Sequence, residues 1–225
     1  MKPLFKETRL QEEWDCKGYV TLPLLGDSQV RALRLLYEEL IGEAPISDLY
    51  ESSRHNSLET NQRINRAILA ELEVAVKEDF NACQLFGGTF MVKSRKDSTA
   101  LPLHQDWIVV EEEEYDTAFI WCPLQEVNAF NGGLFVLEGS HRYFDCLRSG
   151  TYPSDRYTLP YALRHCLKDV SLRAGEAVIY SDRLFHGSHS NRSAEDRIVV
   201  TGRVAERGAR LVYYHKRNEA EVDVY

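Results

Sequence analysis

The sequence predicts an all-β core with helices flanking it, and three observations carry that prediction. Amphipathic helical patterns dominate the first eighty residues. After Asn81, short strand-like runs separated by Gly, Pro, Asn and Asp follow one another to about Tyr214, the pattern of an antiparallel sandwich or barrel. Helices come first and strands afterwards, which places the helices on one face of the sheet structure. With 225 residues and 44% hydrophobic content, the chain is long enough for one well-buried core. A single domain is expected over 1–225, with 1–80 as mainly helical support and 81–215 as the core.

Taken in order, Thr8 to Lys17 is helix-compatible and meets Gly18, a residue suited to a C-terminal cap. Tyr19 to Leu22 reads as a short strand closed by Pro23. Asp27 then caps a helix in which Val30, Leu33, Leu36, Tyr37 and Leu40 form an apolar stripe of period near 3.6, with Arg31, Arg34, Glu38 and Glu39 opposite. Residues 43–56 lack periodicity and suit a long loop bordering a site. From Leu58 to Asp79, Ile64, Ile68, Leu72 and Val76 recur every four residues, so one side of another helix packs inward. Strands are expected at Gln84 to Phe86, Thr89 to Arg95, Leu101 to Val110, Thr117 to Leu124, Leu134 to Leu137, Val170 to Leu172, Ala177 to Tyr180, Arg197 to Val204 and Arg210 to Tyr214.

Composition excludes several functions. A formal charge of −8, from 27 Lys and Arg against 35 Asp and Glu, opposes binding that depends on neutralising phosphate backbones or anionic lipid, so neither nucleic acid nor membrane is an expected partner. The five cysteines are odd in number and widely spaced, with no Cys-x-x-Cys pair, which indicates neither a disulfide framework nor a thiolate zinc site. Cys122 reads as a small core residue. No apolar run approaches a membrane span, and the residues after Met1 form no apolar leader core, so a cytoplasmic location is expected.

Chemistry-bearing residues gather at two places. In Leu101-Pro-Leu-His104-Gln-Asp106-Trp107, His104 and Asp106 stand two apart. On a strand they would share a face and offer two ligands to one metal. Alone this means little, because roughly 0.4 chance His-x-Asp pairs are expected in a chain of this composition. Its context lies downstream, in Tyr180-Ser-Asp-Arg-Leu-Phe-His186-Gly187-Ser188-His189-Ser190-Asn191-Arg192-Ser193-Ala194-Glu195-Asp196-Arg197, where Arg197 stands eleven positions beyond His186.

His-x-Asp, a distal His in His-Gly-Ser and the following Arg together resemble the phytanoyl-CoA dioxygenase family of iron(II)/2-oxoglutarate oxygenases. The segment Asn131-Gly-Gly-Leu-Phe-Val-Leu-Glu-Gly-Ser140-His141 is similar to the family's Asn-Gly-x-Leu and Pro-Gly-Ser-His pattern, with Glu138 where a Pro is usual. The resemblance covers roughly residues 82–205 and implies a double-stranded β-helix, that is, a jelly-roll, cupin-like barrel. It implies His104, Asp106 and His186 as the metal ligands and catalytic centre, with Fe(II), 2-oxoglutarate and O2 as cofactor and co-substrates. Two imidazoles and one carboxylate on one face of iron leave three positions open, two for the chelating co-substrate and one for dioxygen. By the same resemblance Arg197 is the planar cation for the far carboxylate of 2-oxoglutarate, which Arg suits better than Lys. Ser193 is a candidate hydroxyl donor to that carboxylate, and Lys93 a candidate basic contact. His189 and His141 read as structural, and Glu111 to Glu114 as a solvated loop.

For the substrate, Trp121, Trp107 and Arg203 are candidate pocket residues. Tyr157 and Arg156, in the Tyr- and Arg-rich stretch 141–169, are expected to cap the pocket. The implied reaction is hydroxylation of a small organic molecule with release of succinate and CO2, the substrate being a specialised metabolite, an acyl or an amino-acid derivative, free or tethered to a carrier or CoA. Retention of Asp106 disfavours halogenation. Two other functions compete: a jelly-roll module that binds a ligand without turnover, and a cupin-like metal-dependent hydrolase or isomerase. The sequence says nothing of oligomeric state.

Overall fold

A computed structural model describes residues 2–42, 48–95, 98–143, 147–149, 165–216 and 222–224. The chain begins with α1 (Thr8–Lys17), β1 (Tyr19–Pro23), α2 (Asp27–Leu40), β2 (Leu49–Glu51), α3 (Ser52–His55) and α4 (Leu58–Asp79). Strands β3 (Cys83–Lys93), β4 (Leu101–His104), β5 (Thr117–Pro123) and β6 (Leu134–Leu137) follow. A 3₁₀ turn at Ser140–Arg142 precedes β7 (Leu167–Val170), β8 (Glu176–Ser181), β9 (His186–Ser188), β10 (Arg197–Glu206), β11 (Tyr214–Lys216) and β12 (Val222–Val224).

Two antiparallel sheets dominate. The larger runs β1-β8-β5-β10-β3-β2 and the smaller β4-β9-β6-β7, while β11 pairs with β12 apart from both. The sheets do not close into a continuous barrel, which refines the expected jelly roll into two opposed sheets. Strand β10 shows why this sequence builds that arrangement. Ile198, Val200 and Val204 point to the helix side, where they pack with Ile64, Ile68 and Leu72 of α4. Val199, on the other face, packs with Trp121, Val136 and Val178 between the sheets. Burying each large aliphatic side chain contributes about 1.5–3 kcal/mol, so the period-2 pattern of β10 and the four-residue repeat of α4 fix each other's orientation.

Several expected boundaries shift for local reasons. The break read between Phe86 and Thr89 is a register irregularity inside one strand, opposite Thr201 and Arg203. Gly87 takes φ +73° there, and a Cβ on Gly88 would lie 2.9 Å from the Asn65 carbonyl of α4. Two glycines therefore let β3 press against the helix instead of ending it. Gly26, not Asp27, is the N-cap of α2, its N–H donating to Gln29 Oε1 at 3.0 Å. The strand expected to run to Val110 ends at His104, because the next backbone amides leave the sheet: Asp106 N–H donates to Asp182 O and Ile108 N–H to Arg148 O. The expected strands at Val170 to Leu172 and Arg210 to Tyr214 shift to β7 and β11. Strands β2 and β9 carry only three residues each, too short for a period to register. Most of 141–169, Tyr157 and Arg156 included, lies outside the described residues. Among the described residues no helix is long and apolar enough to cross a membrane.

Candidate active site

Strands β4 and β9 bring the two halves of the site together. His104 pairs directly with His186 across the β4–β9 ladder, so two residues 82 apart in sequence become neighbours, with ring centroids 4.4 Å apart. Gly187 makes that approach possible: a Cβ there would lie 2.7 Å from Leu101 O and 2.5 Å from the Phe135 ring. Asp106 arrives from the loop two residues beyond β4, held by the bond from its own N–H to Asp182 O at 3.0 Å. The ligand atoms of His104, Asp106 and His186 all lie within 4.8 Å of one another. Asp106 Oδ1 is 3.7 Å from His104 Nε2 and 3.9 Å from His186 Nε2.

Both imidazoles are oriented the same way. His104 Nδ1 lies 2.9 Å from Pro102 O and His186 Nδ1 lies 3.0 Å from Leu184 O, each the carbonyl two residues earlier. An Nδ1–H donated to the carbonyl leaves Nε2 with its lone pair aimed at the shared point, the tautomer a metal ligand needs. Burial, reinforced by His104, lowers the His186 pKa to about 4, so its ring is neutral at pH 7. Although burial opposes it, His186, Arg203 and His104 hold the Asp106 carboxyl below its ordinary value. Two imidazoles and a carboxylate are the donor set of a facial iron(II) site, and the residues fit that metal.

Around the triad lies a cavity of about 410 Å³ between the sheets. Arg197 and Trp121 both line it. Arg197 is 1% exposed, its guanidinium lying 5.1 Å from the centre of the Trp121 ring. Nη1 donates to Gly132 O at 3.3 Å, whereas Nε and Nη2 have no protein partner. Burial lowers its pKa to about 9. A buried guanidinium with an open donor edge facing a cavity is costly unless a carboxylate meets it, so the fit to a dicarboxylate co-substrate rests on these orphaned donors.

The remaining expected residues are placed as follows. Trp107 and Arg203 line the cavity, Trp107 at its rim with Arg54 of α3 5.6 Å over its ring. Lys93 is fully buried beside the pocket, and Nζ donates to Ser188 Oγ at 2.9 Å and His189 O at 2.5 Å, anchoring the end of β9. Ser193 is not brought to the cavity: its hydroxyl donates to Asn191 Oδ1 at 2.8 Å and Glu195 O at 3.0 Å within a turn. Ser188, by contrast, does line the cavity. His189 is paired with Asp169 at 2.6 Å, away from the ligand cluster. Glu112 is not solvated as the acidic run suggested, because it turns inward to the buried Arg148, whose Nε donates to Asp106 O at 2.8 Å. Glu138, in place of the usual Pro, accepts from Tyr19 Oη at 2.8 Å and pairs with Lys168.

Sequence reasoning missed Tyr180, Asp182 and the Glu51–Arg54 pair. Tyr180 Oη approaches Asp106 Oδ2 at 3.4 Å, and burial together with Asp106 keeps the phenol protonated, well above its ordinary pKa. Asp182 is fully buried, accepts from Thr117 Oγ1 at 2.8 Å and pairs with Arg203. Tyr180 lies near the end of β8 and Asp182 in the turn after it, and their place a few residues before His186 was the available signal.

Opposed antiparallel sheets with a His-Asp-His cluster between them and an open-edged buried arginine alongside define the non-haem iron(II)/2-oxoglutarate oxygenase class. The phytanoyl-CoA dioxygenase (PhyH) family model matches residues 17–199, and the chain belongs to that family. Among curated proteins, dioxygenase olcK of Penicillium canescens is 35% identical over 77 residues, which is 34% of this chain and 22% of that protein. Among solved structures, the non-heme alpha ketoglutarate dependent carbocyclase SnoK from nogalamycin biosynthesis is 17% identical, with a TM-score of 0.68 over 95% of this chain and 89% of its own. The epimerase SnoN in complex with Fe3+, alpha ketoglutarate and nogalamycin RO is 20% identical, with a TM-score of 0.66 over 91% and 84%. These likenesses establish the shared fold.

Proposed function

We propose that this protein is an iron(II)- and 2-oxoglutarate-dependent dioxygenase that hydroxylates a small organic molecule, releasing succinate and CO2. The observation that carries the reading is the pairing of His104, Asp106 and His186 with an Arg197 whose Nε and Nη2 lack any protein partner. When bound, iron and 2-oxoglutarate supply the oxidation of a C–H bond by dioxygen. The chain's own residues do the rest. Pro102 O and Leu184 O fix the imidazole tautomers, Arg203 and Tyr180 hold Asp106, and Arg197, seated against the Trp121 ring, would hold the far carboxylate of the co-substrate. The inter-sheet side chains exclude stray water. A hydrolase or isomerase using the same triad leaves the open edge of Arg197 without a role, and a module without turnover leaves the intact ligand set without one.

The test is heat stability followed by turnover. 2-Oxoglutarate is expected to raise the melting temperature of the metal-loaded protein and to be consumed to succinate when iron and a substrate are supplied. Stabilisation absent in wild type, with no succinate formed across a broad substrate screen, contradicts the reading.

A further inference from the structure

The charge balance of the cavity constrains what enters it. Its charged lining residues, besides the histidines, are Glu51, Arg54, Asp106, Arg197 and Arg203 among the described residues. Arg54 Nε meets Glu51 Oε2 at 2.7 Å. Arg203 is held between Asp106, 3.4 Å away, and the buried Asp182. Asp106 is a ligand, and Arg197 is taken by the co-substrate under the reading above. Among the described residues every charge deep in the cavity is then paired or assigned, and the one loosely held cation, Arg54, sits at the rim in an exposed pair with Glu51.

What faces the remaining space is apolar or neutral. Leu49 of β2, Met91 of β3, Leu101 of β4, and Trp107 and Val109 of the loop after β4 are among the residues that line the cavity. Trp107 keeps 40% of its surface exposed although it follows the ligand Asp106 directly. With Arg54 5.6 Å over the ring, the exposed remainder of Trp107 offers an aromatic surface for stacking at the rim. The hydroxyls of Thr89, Thr201, Ser188 and Tyr180 are the neutral polar groups on the described wall, and these suit a hydroxyl or carbonyl better than an ion.

We propose that the substrate portion entering this cavity is an uncharged, largely apolar molecule carrying a flat ring, with any charged group left outside the mouth. The proposal rests on the oxygenase reading, which assigns Arg197 to the co-substrate. A free carboxylate or ammonium deep in this space would lose its hydration with no unassigned opposite charge among the described lining residues to meet it, which disfavours free amino acids and fatty acids.

The test uses zinc(II)-loaded protein, which binds without turnover, saturated with 2-oxoglutarate, and three probes of one shape: 2-naphthalenemethanol, 2-naphthoate and 2-naphthylmethylammonium. Affinities are read by ligand-observed NMR. The neutral probe is expected to bind at least about tenfold more tightly than either ion. Glu51→Gln, which releases Arg54 at the rim, is expected to strengthen naphthoate binding alone. An ion that binds as well as the alcohol, failure of all three to bind, or a Glu51→Gln effect equal on all three overturns the proposal. The co-substrate is checked first: if 2-oxoglutarate does not raise the melting temperature of the zinc-loaded protein, the oxygenase reading falls and takes this proposal with it. A normal co-substrate response with the wrong probe order overturns the proposal alone.

Discussion

Arg203 Nη2 lies 3.4 Å from Asp106 Oδ2, while the other oxygen, Oδ1, faces the Nε2 atoms of His104 and His186 at 3.7 and 3.9 Å. One oxygen is thus engaged by the protein and the other is presented to the metal point. Asp182 and the Phe119 ring, 4.7 Å away, hold the guanidinium in place. A ligand that arrives from a loop gains its aim from this side-chain bracket.

Removing Arg203 leaves the buried Asp182 and the half-buried Asp106 without their cation. Arg203→Leu is expected to destabilise the metal-free protein by about 3–5 kcal/mol in urea denaturation, as breaking a buried pair does. Added metal replaces part of the missing positive charge at Asp106, so the deficit should shrink in its presence. An equal deficit with and without metal would separate Arg203 from the metal site.

At Arg197 stability and binding pull apart. Its buried guanidinium has donors without partners, so Arg197→Met is expected to change the stability of the unliganded protein by less than about 1 kcal/mol, or to raise it. The same variant should lose the thermal stabilisation given by 2-oxoglutarate. Retention of that stabilisation in Arg197→Met would move the co-substrate anchor elsewhere.

Lys93 makes a pH prediction. Burial, with Arg197 nearby, lowers its pKa to about 7 from the ordinary 10.5. Between those values the unfolded chain holds a proton the folded chain has released, so unfolding free energy from this group rises with pH. Wild type should therefore gain stability relative to Lys93→Met as pH goes from 7 towards 10.5. A flat difference would show that the acceptors Ser188 and His189 keep the ammonium charged.

Gly187 is expected to tolerate no side chain. A Cβ would meet the Phe135 ring at 2.5 Å and Leu101 O at 2.7 Å, both across the pairing that places His186 beside His104. Gly187→Ala should cost about 1–3 kcal/mol by overpacking and weaken metal binding, read by titration calorimetry.

Much of the fold was legible in the sequence. The bounds of α1 and α4 and the two faces of β10 follow from periodicity, because each buries one side and solvates or opens the other. The three residues read as ligands are brought together, but by another route than the one expected: His104 and Asp106 do not share a strand face. β4 ends at His104, and Asp106 reaches the site through the backbone bond to Asp182. Local pattern cannot report such a bond between segments 76 residues apart. Arg203 lines the cavity, as a pocket residue should, but its pairing with Asp182 was hidden for the same reason, since that partner becomes visible only when β8 and β10 flank β5 in the sheet. Ser193 sat at the right sequence distance, but its hydroxyl is consumed by the turn it helps form.

The central claim, that the triad and Arg197 form one iron/2-oxoglutarate site, is tested most directly by anaerobic titration of the iron(II)-loaded protein with 2-oxoglutarate, monitored by visible absorption. A charge-transfer band that saturates in wild type, is absent in His186→Ala and requires far more co-substrate in Arg197→Met is the predicted result. No band in wild type, or a band unchanged in both variants, would contradict it.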